Sequence, residues 1–274
     1  MQKYIIICLI SYFVLFLVKT VLMKYAKAII FNMWKIYLGF VFVTTLLVFY
    51  LPIVTFMQFK KFKKYTFTIN VIWSRVFRIL TFYAIHIEDN RKEKLSSPFI
   101  ICANHTSYLD IFLMYSIFPK SPFLFMGKSE ILSYPLVKTF FKGLNIAVFR
   151  DDRVKAAKSF IQARSEMKNN WCIVIFPEGG IPDEPPYLIP FKDGTFKLAK
   201  SSNVGIQPIT FVNNYKLFSD PEFVFQSARP GLAKVVFHPI IDTKKINDLS
   251  IEEINKLTFD RINSCLPRAN SKSH

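Results

Sequence analysis

Two kinds of hydrophobic pattern divide the chain. At the front stand two long apolar runs, residues 4–18 and 36–59, the second of 24 residues without a charge. At about 1.5 Å rise per residue the second run can cross a hydrocarbon core of roughly 30 Å. The first stops at Lys19 and falls short unless that lysine extends its ammonium to the interface. From about residue 65 the apolar residues come in short bursts, at 99–103, 123–126, 146–149, 171–176, 206–211 and 234–237. Each has the length of a strand, and helical patterns at 152–168, 194–201 and 250–265 lie between or after them. Ser250 followed by Glu253 is a capping box that opens the last helix. Alternating strands and helices predict an α/β fold, a sheet covered by helices, preceded by an N-terminal hydrophobic membrane-anchoring segment. The chain thus divides into an anchoring region, 1–64, and one domain, 65–274.

Basic residues follow both front runs: Lys19, Lys24, Lys27 and Lys35, then Lys60, Lys61, Lys63 and Lys64. If both runs crossed, the positive-inside rule would be broken on one side. Either only the second crosses, or the two form a shallow hairpin with both ends on one face. A cleavable leader ending near Ala26-Lys27-Ala28, or a start at Met33, are further readings of the opening residues.

Composition narrows the class. With 51% hydrophobic and 16% aromatic residues among 274, the chain can bury a core, which excludes disorder. Eight glycines and no self-similar period exclude collagen and solenoids. Four cysteines, at 8, 102, 172 and 265, form no C-x-x-C pair, so neither a disulfide framework nor a cysteine metal site is expected. A net charge of +17 on so apolar a chain points to anionic headgroups and anionic substrates at a bilayer. The basic residues are not interleaved with aromatics as in a nucleic-acid module, so no nucleic-acid partner is expected.

The segment 99–110 reads as a buried strand that ends at Asn104-His105 and enters a helix with Ser107 at its N-cap and Asp110 at N3. Five residues on a helix turn through about 140°, so His105 and Asp110 touch only if His105 precedes the helix. A carboxylate could then hold one imidazole nitrogen while the other takes a proton. From the pair alone, a capping aspartate beside a polar loop histidine is the better reading. Three further segments bear on it. Residues 171–180 form a strand stopped by Pro177 that presents Glu178, Gly179 and Gly180. Residues 190–196 make a turn with Lys192 before a helix, and 204–209 form a strand entered through Gly205 and interrupted by Pro208.

In this order and spacing the segments resemble the glycerolipid acyltransferase family that includes 1-acylglycerol-3-phosphate acyltransferases. Asn-His, four residues and Asp is matched by 104–110. The strand that ends in Arg is matched by 143–150, Phe-Pro-Glu-Gly by 176–179, and the Pro-containing strand by 204–209. Lys128-Ser129-Glu130 matches the family's Lys-Ser-Glu segment, and the resemblance covers about residues 95–215. Many members continue the third block with Thr-Arg, whereas Gly180-Ile181 follows here. The residues left for the acceptor phosphate are Arg150, Lys128 and Lys192.

The resemblance implies an acyltransferase domain at 65–274 that moves a fatty acyl group from acyl-CoA or acyl carrier protein to the free hydroxyl of 1-acylglycerol-3-phosphate, giving phosphatidate. His105 would act as general base and Asp110 would orient it, with no covalent enzyme intermediate. Asn104, Lys128, Arg150, Glu178, Gly179 and Lys192 would bind substrate. No cofactor and no metal is expected. Because thioester donors are cytosolic, the catalytic domain is expected to face the cytoplasm from the cell inner membrane. Amides after Ser107 are candidates for stabilising the oxyanion. Another lysophospholipid or an amino-acid-based lysolipid is the alternative acceptor. A basic membrane-surface binding protein on a degenerate scaffold is the alternative outside enzymes. Gly127-Lys128-Ser129 is not a P-loop, since Pro122 stands where the first glycine belongs, and no G-x-S-x-G occurs. His86, between two isoleucines, reads as a strand histidine, and neither it, His238 nor His274 forms a metal-ligand spacing.

Overall fold

A computed structural model describes residues 2–133, 135–219 and 224–267; His274 lies outside them. The two front runs are one continuous helix, α1 (Gln2–Met57), so the hairpin alternative does not hold. Its 56 residues extend roughly 84 Å at helical rise, far more than one bilayer requires. The turn after α1 reverses the chain into α2 (Lys63–Leu80), whose buried Phe67, Val71, Ser74 and Phe77 repeat at helical spacing.

The halves of α1 differ in what they touch. Between 36 and 57, Leu38, Val41, Leu46 and Ile53 are buried against the rest of the protein. Thr45 Oγ1 there accepts from Trp73 Nε1 of α2 at 2.9 Å. On the opposite side Ile36, Phe40, Val43, Leu47, Val48 and Leu51 are exposed. The run expected to cross a bilayer is therefore half committed to the domain. From Tyr12 to Met33 the large apolar side chains are exposed nearly all round, and Ala28 is a buried exception.

Among the described residues the domain is a seven-stranded sheet of β1 (Tyr83–Asp89), β2 (Ile100–Ala103), β3 (Phe123–Lys128), β4 (Ile146–Val148), β5 (Cys172–Ile175), β6 (Ile206–Phe211) and β7 (Gly231–Phe237). The order is β1-β7-β6-β2-β5-β3-β4. Strands β2 to β6 are parallel, while β7 runs antiparallel to β6 and parallel to β1. All residues of β2, β5 and β6 are buried, and β2 and β5 accordingly read as unbroken apolar runs.

The remaining helices are α3 (Leu109–Ile117), α4 (Pro135–Leu144), α5 (Arg153–Lys168), α6 (Gly194–Ser202), α7 (Asn214–Leu217), α8 (Thr243–Asp248) and α9 (Ile251–Asn263). Asp152 caps α5 by accepting from the amides of Val154 and Lys155. The Ser250–Glu253 capping box on α9 is present in both directions. Because β2, β3, β4, β5 and β6 point the same way, the loops at their C-terminal ends share one rim, the usual ligand edge of an open α/β sheet.

Candidate active site

At the end of β2 the chain leaves the sheet through Asn104 and His105 before α3 begins. His105 therefore lies in the strand-to-helix turn, where it can turn back to Asp110. Its Nδ1 is 3.0 Å from Asp110 Oδ2. A carboxylate only accepts, so Nδ1 carries the proton and Nε2 holds the lone pair. Nε2 has no hydrogen-bond partner among the described residues, and the imidazole is 12% exposed against 0% for the Asp110 side chain. The same Oδ2 also accepts from the amides of Thr106 at 2.7 Å and Ser107 at 2.9 Å. Phe176, at the end of β5, stacks on the imidazole with centroids 4.2 Å apart and planes 16° from parallel. The ring is thus fixed on its face and at one nitrogen, and the other nitrogen is left able to accept a proton.

Glu178 ties the β5 rim to this loop. Its Oε1 accepts from the His105 amide at 2.8 Å and its Oε2 from the Ile189 amide at 3.3 Å. It is 2% exposed, and burial pushes its carboxyl up to about 7, an effect that the nearby Asp110 charge strengthens.

Gly179 has φ +83°, a conformation that favours glycine, and a Cβ there would come within 2.7 Å of the Arg150 guanidinium and displace it. Arg150 Nη1 donates to the Gly179 carbonyl at 3.0 Å, joining the end of β4 to that of β5. Lys128 Nζ lies against Gly180, and the Lys192 amide donates to the Pro177 carbonyl. Partial burial, then the charges of Arg150 and Lys128, lower the Lys192 ammonium from its ordinary value. Three cations therefore converge on residues 177–180. Among the described residues none of them pairs with a carboxylate. Unneutralised positive charge beside a base is a receptor for an anion.

Asn104, expected to touch substrate, is fully buried: its Oδ1 accepts from the Phe211 amide at 2.8 Å and its Nδ2 donates to the Phe211 carbonyl at 3.1 Å. It locks β2 to β6 and positions the loop. Of the amides after Ser107 expected to stabilise an oxyanion, that of Leu109 donates to Ser107 Oγ and that of Asp110 to the Ser107 carbonyl. The N-cap of α3 is Tyr108, which makes no side-chain cap bond, and not Ser107 as expected; Ser107 Oγ accepts from the Leu109 amide.

The structure brings together His105, Asp110, Glu178, Gly179, Arg150, Lys128 and Lys192. It adds two residues given no role from sequence. Phe176 stands within a recognised motif, but stacking is invisible in one dimension. Asn214, whose Nδ2 lies 2.6 Å from Asp110 Oδ1, is 104 residues from its partner and belongs to no motif.

Residues 84–212 match the model of the acyltransferase family. The protein acl-2 of Caenorhabditis elegans is 31% identical over 172 residues, 61% of this chain and 57% of that protein. A protein of Chlamydomonas reinhardtii named 1-acyl-sn-glycerol-3-phosphate acyltransferase is 26% identical over 233 residues, covering 83% of this chain and 67% of its own length. Across the curated relatives it matches, the chain spans 45% to 67% of their length. The crystal structure of the 1-acyl-sn-glycerophosphate (LPA) acyltransferase PlsC from Thermotoga maritima shares the fold. Its TM-score is 0.68 at 24% identity, over 87% of this chain and 95% of that one.

Proposed function

We propose that this chain, whose residues 84–212 match the acyltransferase family model, moves a fatty acyl group from acyl-CoA or acyl carrier protein to the free hydroxyl of 1-acylglycerol-3-phosphate at a membrane surface. The observation that carries this reading is the juxtaposition of an oriented histidine, His105, with three cations that have no carboxylate partner and gather about residues 177–180.

Each side chain then has a step. His105 Nε2 takes the proton from the acceptor hydroxyl as that oxygen attacks the thioester carbonyl carbon. The carbon–sulfur bond breaks, and the departing thiolate recovers the proton from the imidazolium. Asp110 holds the tautomer and offsets the charge on the imidazolium, which is how a carboxylate-oriented histidine works elsewhere. Arg150, Lys128 and Lys192 receive the acceptor's phosphate, and Glu178 keeps the His105 main chain in register with them. The names of the relatives support the acceptor, since the Chlamydomonas protein carries that activity in its name.

The exposed apolar length of α1 supports attachment to a membrane, where a single-chain lipid acceptor partitions. The stretch before Met33, bare nearly all round, enters the lipid. The outer face of residues 36–51, with Tyr65, Ile72 and Ile79 of α2, lies toward the surface. The catalytic rim then faces the cytoplasmic donors.

An acceptor panel tests the reading. With either thioester donor, lysophosphatidate is acylated in preference to lysolipids without a phosphate monoester. Arg150→Ala and Lys192→Ala each raise the KM for lysophosphatidate, by about tenfold for one lost charge-assisted contact, with the donor KM held. Equal use of acceptors lacking phosphate, unaltered by either substitution, would remove phosphate from the account.

A further inference from the structure

A carboxylate as buried as Asp110 keeps its charge only when donors meet both oxygens. Oδ2 is supplied three times by its own loop. Oδ1 is met from elsewhere, by Asn214 Nδ2 at 2.6 Å, from the first residue of α7. Asn214 is itself fully buried, and its Oδ1 has no partner among the described residues. Leaving a buried acceptor bare is unfavourable, so the amide does not serve the core in general. Its donor end alone is used, and it is aimed at Asp110. The other end of α7 reaches the same loop, where the Phe218 carbonyl accepts from Ser107 Oγ. Helix α7 is thus fastened to the loop at both ends, and Asn214 cannot drift from the carboxylate.

On the proposed acyl-transfer reading of His105, we propose that Asn214 is a positioning residue for the reaction, holding Asp110 ionised and turned so that Oδ2 faces His105 Nδ1. It lies beyond the segment that matches the acyltransferase family, which ends at residue 212. The titratable groups around the Asp110 carboxyl are His105 on its own loop and Glu178 from the rim of β5. Removing the amide makes a buried carboxylate more basic, so the His105–Asp110 pair holds its shared proton more tightly.

The test uses the full chain in detergent, with Asn214→Ala and Asn214→Asp. For Asn214→Ala the expected result is a kcat lower by about tenfold or more, the loss of one hydrogen bond to a charged group. Both KM values stay within about twofold, which marks an effect on the transition state and not on binding. The acidic limb of the kcat profile moves to higher pH, as does the His105 imidazole titration followed by NMR of histidine-labelled protein. Asn214→Asp keeps the volume and donates to Asp110 only while protonated. Its activity therefore declines with rising pH across the range where the parent is flat, and this arm decides the matter if the alanine variant does not fold. A parental kcat in Asn214→Ala, or an imidazole titration unmoved in both folded variants, overturns the proposal. The NMR arm needs no substrate, so a parent that transfers acyl groups to nothing refutes the acyl-transfer reading and still leaves the role of Asn214 decided.

Discussion

Glu178 shows how one side chain couples the chemistry of the site to the stability of the fold. Burial pushes its carboxyl up to about 7, while in an unfolded chain it titrates near about 4.3. The folded protein therefore binds this proton more tightly, and stability falls as pH rises between those values. His238 acts in the opposite sense: burial pulls its imidazole down to about 4, so stability falls as pH drops below about 6.5. Glu178→Gln removes the first slope and keeps the second. The melting temperature of the variant relative to the parent thus becomes more favourable from about pH 5 to about pH 7. A difference that stays flat with pH contradicts the raised carboxyl.

At this scale the sequence was readable where chemistry is contiguous. His105 and Asp110 sit in one heptapeptide, and their five-residue spacing already required the histidine to precede the helix. Asn214 was not readable, because only the pairing of β6 with β2 brings a residue so distant in sequence to the carboxylate. The bonds of Asn104 were not readable because the polar end of a buried strand looks the same whether it meets substrate or the Phe211 backbone.

Among the elements, the parallel strands β2 to β6 were the most legible. β6 has the bounds its apolar run predicted, and β2, β3, β4 and β5 fall within a few residues of theirs. Helices with capping chemistry, α5 and α9, were legible for a local reason. Helix α2 was not, since its buried face mixes Thr66, Asn70 and Ser74 with aromatics. The joining of two front runs into one α1 was also hidden, because lysines at 19, 24, 27 and 35 break hydropathy without breaking a helix.

The burial of α1 predicts a division of labour. Removing residues 2–33 leaves the outer face of 36–51 in place, so the shortened protein still floats with anionic vesicles at low salt. It is extracted by alkaline carbonate, whereas the full chain resists extraction. Equal resistance in both forms would contradict insertion through the early half of α1. The Asn32 and Tyr25 contacts to Val224 and Phe225 are lost by this deletion, so a melting curve of the shortened protein accompanies the flotation.

For the molecule as a whole, the parallel strands gather four distant segments on one rim. β2 brings the base, β5 its stacking partner and the glutamate, and β3 and β4 bring two of the cations. On the proposed reading the +17 charge draws the protein to anionic lipid, and the unpaired cations at the rim concentrate the same attraction where the acceptor's phosphate would sit. The central claim is that His105 is the base of an acyl transfer made at that rim. The most direct measurement is phosphatidate formation from lysophosphatidate, with acyl-CoA and with acyl carrier protein, comparing the parent with His105→Ala in membranes. The parent forms product, and the variant, equally abundant and equally membrane-bound, loses at least the roughly hundredfold that general-base help supplies. Product at the parental rate from the variant would contradict the claim.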